Sequence, residues 1–157
     1  MEKTAKEKEK MWDARFIKLA REVGSWTSCI RRAVGAVIVK NNRILTTGYN
    51  GAPQGIASCK EREECLRNKL NIESGTRQEI CYAIHAEQNA VVQAAKLGEC
   101  IDGATIYVTH QPCSLCTRIL INAGIKRIVY AEGYPDDFSL ELLENAKIQL
   151  DKLDENN

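Results

Sequence analysis

Residues 106–120 read IYVTHQPCSLCTRIL and join a predicted strand to a predicted helix. β-branched and aromatic side chains dominate its first part, which is typical of a strand. Pro112 then stands where proline suits the first turn of a helix. Further along, IKRIVYA (125–131) predicts a strand, FSLELLENA (138–146) a helix, and KIQL (147–150) a short last strand. Strands that alternate with helices predict an α/β fold around one sheet.

The upstream half predicts a helix, a hairpin and a second helix. MWDARFIKLAREVGSW (11–26) places apolar side chains at helical spacing and ends near Gly24. Residues 34–39 are almost continuously apolar, which suits a strand buried on both faces. Asn41 and Asn42 form the turn to a return strand at 44–49, and HAEQNAVVQAAKLG (85–98) follows as a helix. Because the hairpin is antiparallel, the predicted sheet is mixed, with about five strands.

Composition and charge narrow the class of protein. The 157 residues predict one domain spanning 1–157, with residues 1–9, rich in Lys and Glu, as a disordered tail. The net charge of +1 argues against a nucleic-acid groove, and no apolar run is long enough to span a bilayer. The first ten residues lack the features of a secretory or mitochondrial signal, so we expect a cytoplasmic protein. In that compartment the seven cysteines are reduced, and clustered ones favour metal binding.

Two short motifs carry candidate metal ligands. Cys113 and Cys116 are three residues apart, so on a helix they share one face. Alone, such a pair indicates either a redox dithiol or half of a zinc site. His85, at the start of the other predicted helix, supplies a third ligand. Three protein ligands with an open fourth position are typical of a catalytic zinc site.

Glu87, in the motif that begins with His85, is a candidate for proton transfer at this metal site. It lies two residues after His85, and such residues point to different sides of a regular helix. Both can serve one metal only if His85 stands at the very start of the helix. Zinc brings the pKa of its bound water close to neutral, and a carboxylate above the open position can accept and relay that proton. His-x-Glu followed by Pro-Cys-x-x-Cys is the known signature of the zinc nucleobase deaminases.

Longer stretches resemble one group within these enzymes. The segments VGAVIVKNNRILTTGYNGAPQG, IHAEQNAVVQAAKLG, IDGATIYVTHQPC and INAGIKRIVYAEGY resemble the deoxycytidylate (dCMP) deaminases, including proteins encoded in bacterial late-competence operons. The resemblance covers roughly residues 25–135. It implies a three-layer α/β/α sandwich of the cytidine deaminase type and a homo-oligomer, often a hexamer. It also implies control by dCTP and dTTP, and hydrolysis of dCMP to dUMP and ammonia, which supplies dUMP for thymidylate synthesis.

The resemblance also assigns roles to particular residues. Glu87 is then the catalytic residue, and His85, Cys113 and Cys116 bind the catalytic zinc. Asn50 is similar to the asparagine that contacts the sugar in related deaminases. The residues that bind the 5′-phosphate are not identified, because Arg and Lys are spread evenly along the chain.

Four further cysteines suggest a second metal. Four thiolates make a closed structural zinc site, and one here would anchor the long polar segment between residues 50 and 77. The resemblance supports such a site. The alternative is that these are separate buried thiols, as we expect for Cys100. The candidate ligands are Cys29, Cys59, Cys65 and Cys81.

Two other functions stay open. The same zinc chemistry could act on cytidine, guanine or adenosine in tRNA, although GYNGAP and the balanced charge argue against tRNA. Alternatively, the chain could be a non-catalytic zinc protein of DNA uptake. Glu87 argues against that reading, because a purely structural site needs no carboxylate above an open position.

Overall fold

The structure is a computed structural model that describes residues 3–133 and 136–153. Strands and helices alternate from residue 105 onward, as the sequence predicts. The elements are α1 Ala5–Gly24, β1 Gly35–Lys40, β2 Arg43–Tyr49, α2 Cys59–Arg62, α3 Leu66–Lys69, α4 Ala86–Leu97, β3 Thr105–His110, α5 Ser114–Asn122, β4 Arg127–Glu132, α6 Asp137–Asn145 and β5 Gln149–Lys152. Within the described residues, no helix is both long enough and apolar enough to span a membrane.

The five strands form one mixed sheet in the order β2-β1-β3-β4-β5. β1 is antiparallel to β2 and to β3, whereas β3, β4 and β5 are parallel. Both faces of the central strands are buried, because α1 packs on one face and α4, α5 and α6 pack on the other. Alternate residues therefore enter different cores: Ile38 faces α4, and its neighbour Val37 faces α1. The predicted three-layer α/β/α sandwich around a mixed sheet is confirmed.

The hairpin turn and the helix ends follow the predicted residues. Asn41 and Asn42 have φ angles of 52° and 57°, the left-handed conformation that a two-residue hairpin turn requires. Gly98 ends α4 with a φ of 72°. The polar segment before α4 contains two short helices, α2 and α3.

The start of α1 corrects the predicted tail. The composition of residues 1–9 predicts disorder, but the helix begins at Ala5. A capping box explains the earlier start: the Glu7 N–H donates to Thr4 Oγ1 at 3.2 Å, and the Thr4 N–H donates to Glu7 Oε2 at 2.7 Å. Residues 1 and 2 of the predicted tail lie outside the described residues.

A buried ion pair fastens α1 to the sheet. The Asp13 carboxylate accepts two hydrogen bonds from the Arg127 guanidinium, both of 2.8 Å, and one of 2.8 Å from the Tyr107 hydroxyl. Arg127 also donates to Asp151 at 2.6 Å. Burial and the hydrogen bond to Asp13 raise the pKa of Tyr107, so its hydroxyl stays a donor. The contacts therefore join α1, β3, β4 and β5.

We expect Asp13→Ala to destabilise the fold by about 1.5–3 kcal/mol, because it removes the bidentate partner of the Arg127 guanidinium, which keeps its hydrogen bond to Asp151. Urea unfolding followed by circular dichroism measures the change. Glu9→Ala is the matched control, since Glu9 is 54% exposed and lies 3.5 Å from the same guanidinium. We expect less than about 1 kcal/mol there. Equal losses in the two variants would contradict the assignment.

Candidate active site

The N-termini of α4 and α5 meet near the carboxyl end of β3. His85 precedes α4 with φ −73° and ψ 155°, and Cys113 precedes α5 with φ −73° and ψ 167°. Both residues are thus helix caps in extended conformation, as the spacing between His85 and Glu87 predicts. Cys116 lies one turn into α5 and is fully buried. The folding of two separate strand–helix connections brings these three side chains together.

The three side chains fit a tetrahedral zinc ion. His85 Nδ1 lies 3.2 Å from Cys116 Sγ and 3.5 Å from Cys113 Sγ. Zinc–nitrogen bonds of about 2.0–2.1 Å and zinc–sulfur bonds of about 2.3 Å place N and S roughly 3.6 Å apart at a tetrahedral angle. Among the described residues, only these three form a group of His, Cys, Asp and Glu donors whose ligand atoms all lie within 4.8 Å of one another. The site could therefore hold zinc through His85 Nδ1 and two sulfurs.

Glu87 lies beside the ligand group without belonging to it. Its side chain is 4% exposed, and it shares a hydrogen bond with Cys116. Burial raises the pKa of the Glu87 carboxyl, against the opposing charge of His85. A buried carboxyl whose pKa is raised takes up a proton more readily than an exposed one, which suits a general acid–base.

The two thiols of the metal-free site differ in proton affinity. The hydrogen bond from Cys116 lowers the pKa of Cys113 to about 4, and contact with His85 lowers it further against the effect of burial. The same hydrogen bond and burial raise the pKa of Cys116 well above 9.0. The bond to Cys113 also raises the pKa of His85, whereas burial and the charge of Arg67 oppose that rise. One thiolate is therefore present before a metal arrives.

Hydrogen bonds around α5 fix the position of its two cysteines. The Asp136 carboxylate accepts from the Ser114 N–H at 2.7 Å and from the Ser139 N–H at 2.9 Å, so it caps both α5 and α6. The Ser139 hydroxyl donates to the Pro112 carbonyl at 2.8 Å and lies 2.7 Å from Thr117 Oγ1. Ser139 and Thr117 are fully buried, so this network holds the turn before Cys113 rigidly.

Gly48 on β2 sets the position of α4. A Cβ atom at Gly48 would lie 2.2 Å from the Ala86 carbonyl oxygen and 2.5 Å from the Ala90 nitrogen, both in the backbone of α4. Only glycine lets the helix approach this closely.

We expect Gly48→Ala to push α4 away from the sheet, with a loss of about 1–3 kcal/mol in unfolding free energy and weaker zinc binding. Thermal unfolding and competition with a zinc chelator measure the two effects. Gly133→Ala is the control, because a Cβ there would meet no atom of the described residues within 4 Å. Unchanged zinc affinity in Gly48→Ala would contradict this role.

A cavity of about 300 Å³ opens at these ligands. His85, Glu87 and Cys113 line it, and so does Asn50, which is 8% exposed. Asn50 Oδ1 accepts from the Val34 N–H at 2.9 Å, and Nδ2 donates to the Arg32 carbonyl at 2.8 Å. One amide hydrogen and one oxygen lone pair remain for a ligand. The predicted contact of Asn50 with a sugar stays a prediction.

The four candidate ligands of a second metal line the same cavity, and two of them, Cys59 and Cys65, are buried. Cys29 Sγ accepts the Arg31 N–H, and Cys81 Sγ accepts the Ala83 N–H, each at 3.4 Å. Burial raises the pKa of Cys59, and the charges of the other three cysteines raise it further, so the four lie close enough to interact. In the described part of the chain, however, no three of them meet the 4.8 Å spacing of the His85 group. Cys100, predicted to be buried, is exposed, because it follows the end of α4 in a surface loop.

The structure also places residues from outside the two motifs in the cavity lining. Arg31, Arg32 and Arg67 come from two distant segments and line one wall. Gln111 and His110 line the cavity next to α5. Burial lowers the pKa of His110, and the charge of Arg32 adds to this, whereas Glu132, 3.0 Å from His110 Nε2, opposes it. The sequence does not predict that these arginines lie together, because basic residues are spaced evenly along the chain.

Comparison with known proteins agrees with the geometry. The family model described as MafB19-like deaminase matches residues 10–155. ComE operon protein 2 of Bacillus subtilis is 36% identical over 144 residues, which cover 91% of this chain and 71% of that protein. The deoxycytidylate deaminase of Mycobacterium phage D29 is 39% identical over 123 residues, which cover 76% of this chain and 93% of the phage protein.

A solved structure matches the whole fold. The dCMP deaminase from cyanophage S-TIM5, crystallised in complex with dCMP and dUMP, aligns with a TM-score of 0.73 and 31% identity. The alignment covers 96% of this chain and 99% of the phage chain. The resemblance to deoxycytidylate deaminases drawn from the motifs is therefore confirmed, and the chain belongs to the MafB19-like deaminase family.

Proposed function

We propose that this protein catalyses the zinc-dependent hydrolytic deamination of dCMP to dUMP and ammonia, and so supplies dUMP for thymidylate synthesis. The observation that carries the proposal is the His85, Cys113 and Cys116 group with buried Glu87 beside it. Each of these residues stands in the signature of the zinc nucleobase deaminases. The relatives named deoxycytidylate deaminase support dCMP as the substrate.

Glu87 provides the proton transfers of the proposed reaction. Zinc held by His85, Cys113 and Cys116 supplies a Lewis acid that brings the pKa of water close to neutral. Glu87 takes a proton from the water that attacks C4 of the pyrimidine and delivers it to N3. A second transfer through Glu87 moves the remaining proton of the added hydroxyl to the amino group, so that the C4–N bond breaks, ammonia leaves and C4 keeps a carbonyl oxygen. The raised pKa of Glu87 suits a group that must both accept and return a proton.

The remaining cavity residues orient the nucleotide in this proposal. Asn50 contacts the deoxyribose with the part of its amide that the backbone leaves unused. Because that amide also holds residues 32–34, its replacement affects both the loop and the sugar contact. Buried walls exclude bulk water from the reacting base, which strengthens the electrostatic effect of Glu87.

The proposal extends to assembly and control. We place the enzyme in the cytoplasm as a homo-oligomer, with a hexamer as the expected form, regulated by dCTP and dTTP. Exposed apolar side chains on the helical layer support self-association: Val92 on α4, Ile119 on α5, and Phe138 on α6 are 52%, 38% and 52% exposed. Light scattering tests the assembly, and a monomer at micromolar concentration would contradict it.

We also propose a second, structural zinc held by Cys29, Cys59, Cys65 and Cys81. Their shared cavity and the two N–H···S hydrogen bonds support it. A closed site needs sulfur atoms about 3.8 Å apart, so these cysteines must draw together around the ion. Metal analysis should find two zinc ions per chain in the wild type and one in Cys59→Ser. One zinc ion in both proteins would remove the second site.

A side-by-side assay tests the proposed substrate. Ammonia release is measured with dCMP, deoxycytidine, cytidine and guanine on zinc-loaded protein, with and without dCTP. We expect dCMP to give the highest kcat/KM. Preference for another base or nucleoside would reassign the substrate. No turnover on any of them at full zinc occupancy would favour the non-catalytic function in DNA uptake.

A further inference from the structure

We propose that Arg67, assisted by Arg31, recognises the phosphate monoester of the substrate and makes the site selective for a nucleotide over a nucleoside. This inference rests on the proposed function, since it concerns the same cavity. Arg67 lies on α3, in the long segment before α4, and is 9% exposed. It lines the cavity together with His85 and Glu87.

The first observation is the incomplete pairing of the Arg67 guanidinium. Its Nη2 donates to the carbonyl oxygens of Glu73 and Thr76, the former at 3.0 Å. Its Nε is buried and has no hydrogen-bond partner among the described residues. No carboxylate of the described residues forms an ion pair with the Arg67 guanidinium. A buried cation without a counter-charge is costly unless a ligand supplies that charge.

A second buried donor points to a ligand in the same cavity. Gln111 is 7% exposed and lines the cavity, and its Nε2 likewise lacks a hydrogen-bond partner among the described residues. Gln111 belongs to the β3–α5 connection, so this observation is independent of the segment that carries Arg67. Two residues of one cavity lining that each carry a buried N–H donor without a described partner indicate a ligand rich in acceptor oxygens.

The charge of the cavity wall narrows the ligand to an anion. Arg31 Nη1 donates to the Ile72 carbonyl at 3.4 Å, and Arg32 Nη2 lies 3.5 Å from Ser74 Oγ. These arginines therefore border the same loop, residues 72–76, that Arg67 holds. Among the described residues that line the cavity, Glu87 is the only acidic one, against three arginines. The cavity is thus basic, although the whole chain has a net charge of only +1.

A phosphate monoester matches these features. It carries close to two negative charges and presents several oxygens to a guanidinium, whose planar arrangement of donors suits them. The two carbonyl contacts of Arg67 hold its guanidinium in place before the ligand arrives, which lowers the entropic cost of binding. A nucleoside offers no such charge and gains nothing from Arg67.

The test compares the binding of dUMP and deoxyuridine by titration calorimetry, which needs no turnover. We expect the wild type to prefer dUMP by at least about 100-fold, and Arg67→Gln to lower that preference by about 10- to 100-fold by weakening dUMP alone. Arg77→Gln is the matched control: it removes the same charge from a 64% exposed side chain outside the cavity lining. We expect it to leave the preference unchanged.

Arg31→Gln is a second variant that tests the proposal even if Arg67→Gln fails to fold. Arg31 is exposed, so its replacement leaves the core intact. It should lower the preference for dUMP by about tenfold. Equal weakening of both ligands in Arg67→Gln, or an unchanged preference in both variants, would overturn the proposal and assign Arg67 a structural role. Wild type that deaminates dCMP but binds both ligands equally would also overturn it, while the proposed function stands. Loss of preference in the variants, with no deamination of dCMP by the wild type, would refute only the function.

Discussion

Glu87→Gln should lower the turnover of dCMP by a factor on the order of 10³ while zinc per chain stays at the wild-type value. The substitution keeps the shape of the side chain and removes its ability to accept a proton. Glu87 is 4% exposed, and its carboxyl lies outside the group of three metal ligands. Low turnover at unchanged zinc content would therefore show that Glu87 transfers protons and does not bind the metal.

The measurement is the initial rate of dUMP formation, with zinc determined by atomic emission on the same sample. Glu99→Gln is the control, since it removes an exposed carboxylate from the loop that directly follows the same helix. We expect a rate close to that of the wild type there. A Glu87→Gln enzyme that keeps more than about a tenth of the wild-type kcat would rule out Glu87 as the general acid–base.

Cys116→Ser should release the catalytic zinc and abolish activity. Cys116 is fully buried and lies 3.2 Å from His85 Nδ1, so a hydroxyl there cannot replace the thiolate ligand. Loss of an indirect contact to a metal ligand already costs 10- to 100-fold in affinity, and we expect more than about 100-fold for a direct ligand. Competition with a chromophoric chelator measures the affinity.

Proton release gives this prediction a second readout. The pKa of Cys116 lies well above 9.0, whereas that of Cys113 is about 4. At pH 7 zinc must therefore displace the proton of Cys116, and zinc affinity should fall as the pH is lowered, because protons compete for the sulfur. Cys100→Ser is the control, since Cys100 is exposed and lies outside the cavity lining. Full zinc content in Cys116→Ser would refute the ligand assignment.

Local signals made much of the fold predictable. The Asn41-Asn42 turn, the Gly98 stop and the strand–helix alternation after Thr105 all depend on neighbouring residues, and the structure contains each of them. The prediction of a disordered tail through residue 9 was wrong, because it relied on a composition rich in Lys and Glu. The Thr4–Glu7 capping box was the signal that could have corrected it.

The candidate site also contains some residues that the sequence predicts and others that it does not. His85, Glu87 and the cysteines of α5 were predictable, because two short motifs with fixed spacing require them to converge. Arg67 was not, because its position depends on how a long segment without regular periodicity folds back over the cavity. Its contacts with the carbonyls of Glu73 and Thr76 are set by the tertiary structure of that segment.

The most direct test of the account is dUMP formation from dCMP by metal-free protein titrated with zinc, in the presence of dCTP. We expect no turnover before zinc is added, and activity that rises with the occupancy of the His85, Cys113 and Cys116 site and then saturates. Turnover that is independent of zinc, or none on dCMP at full occupancy, would contradict the central claim.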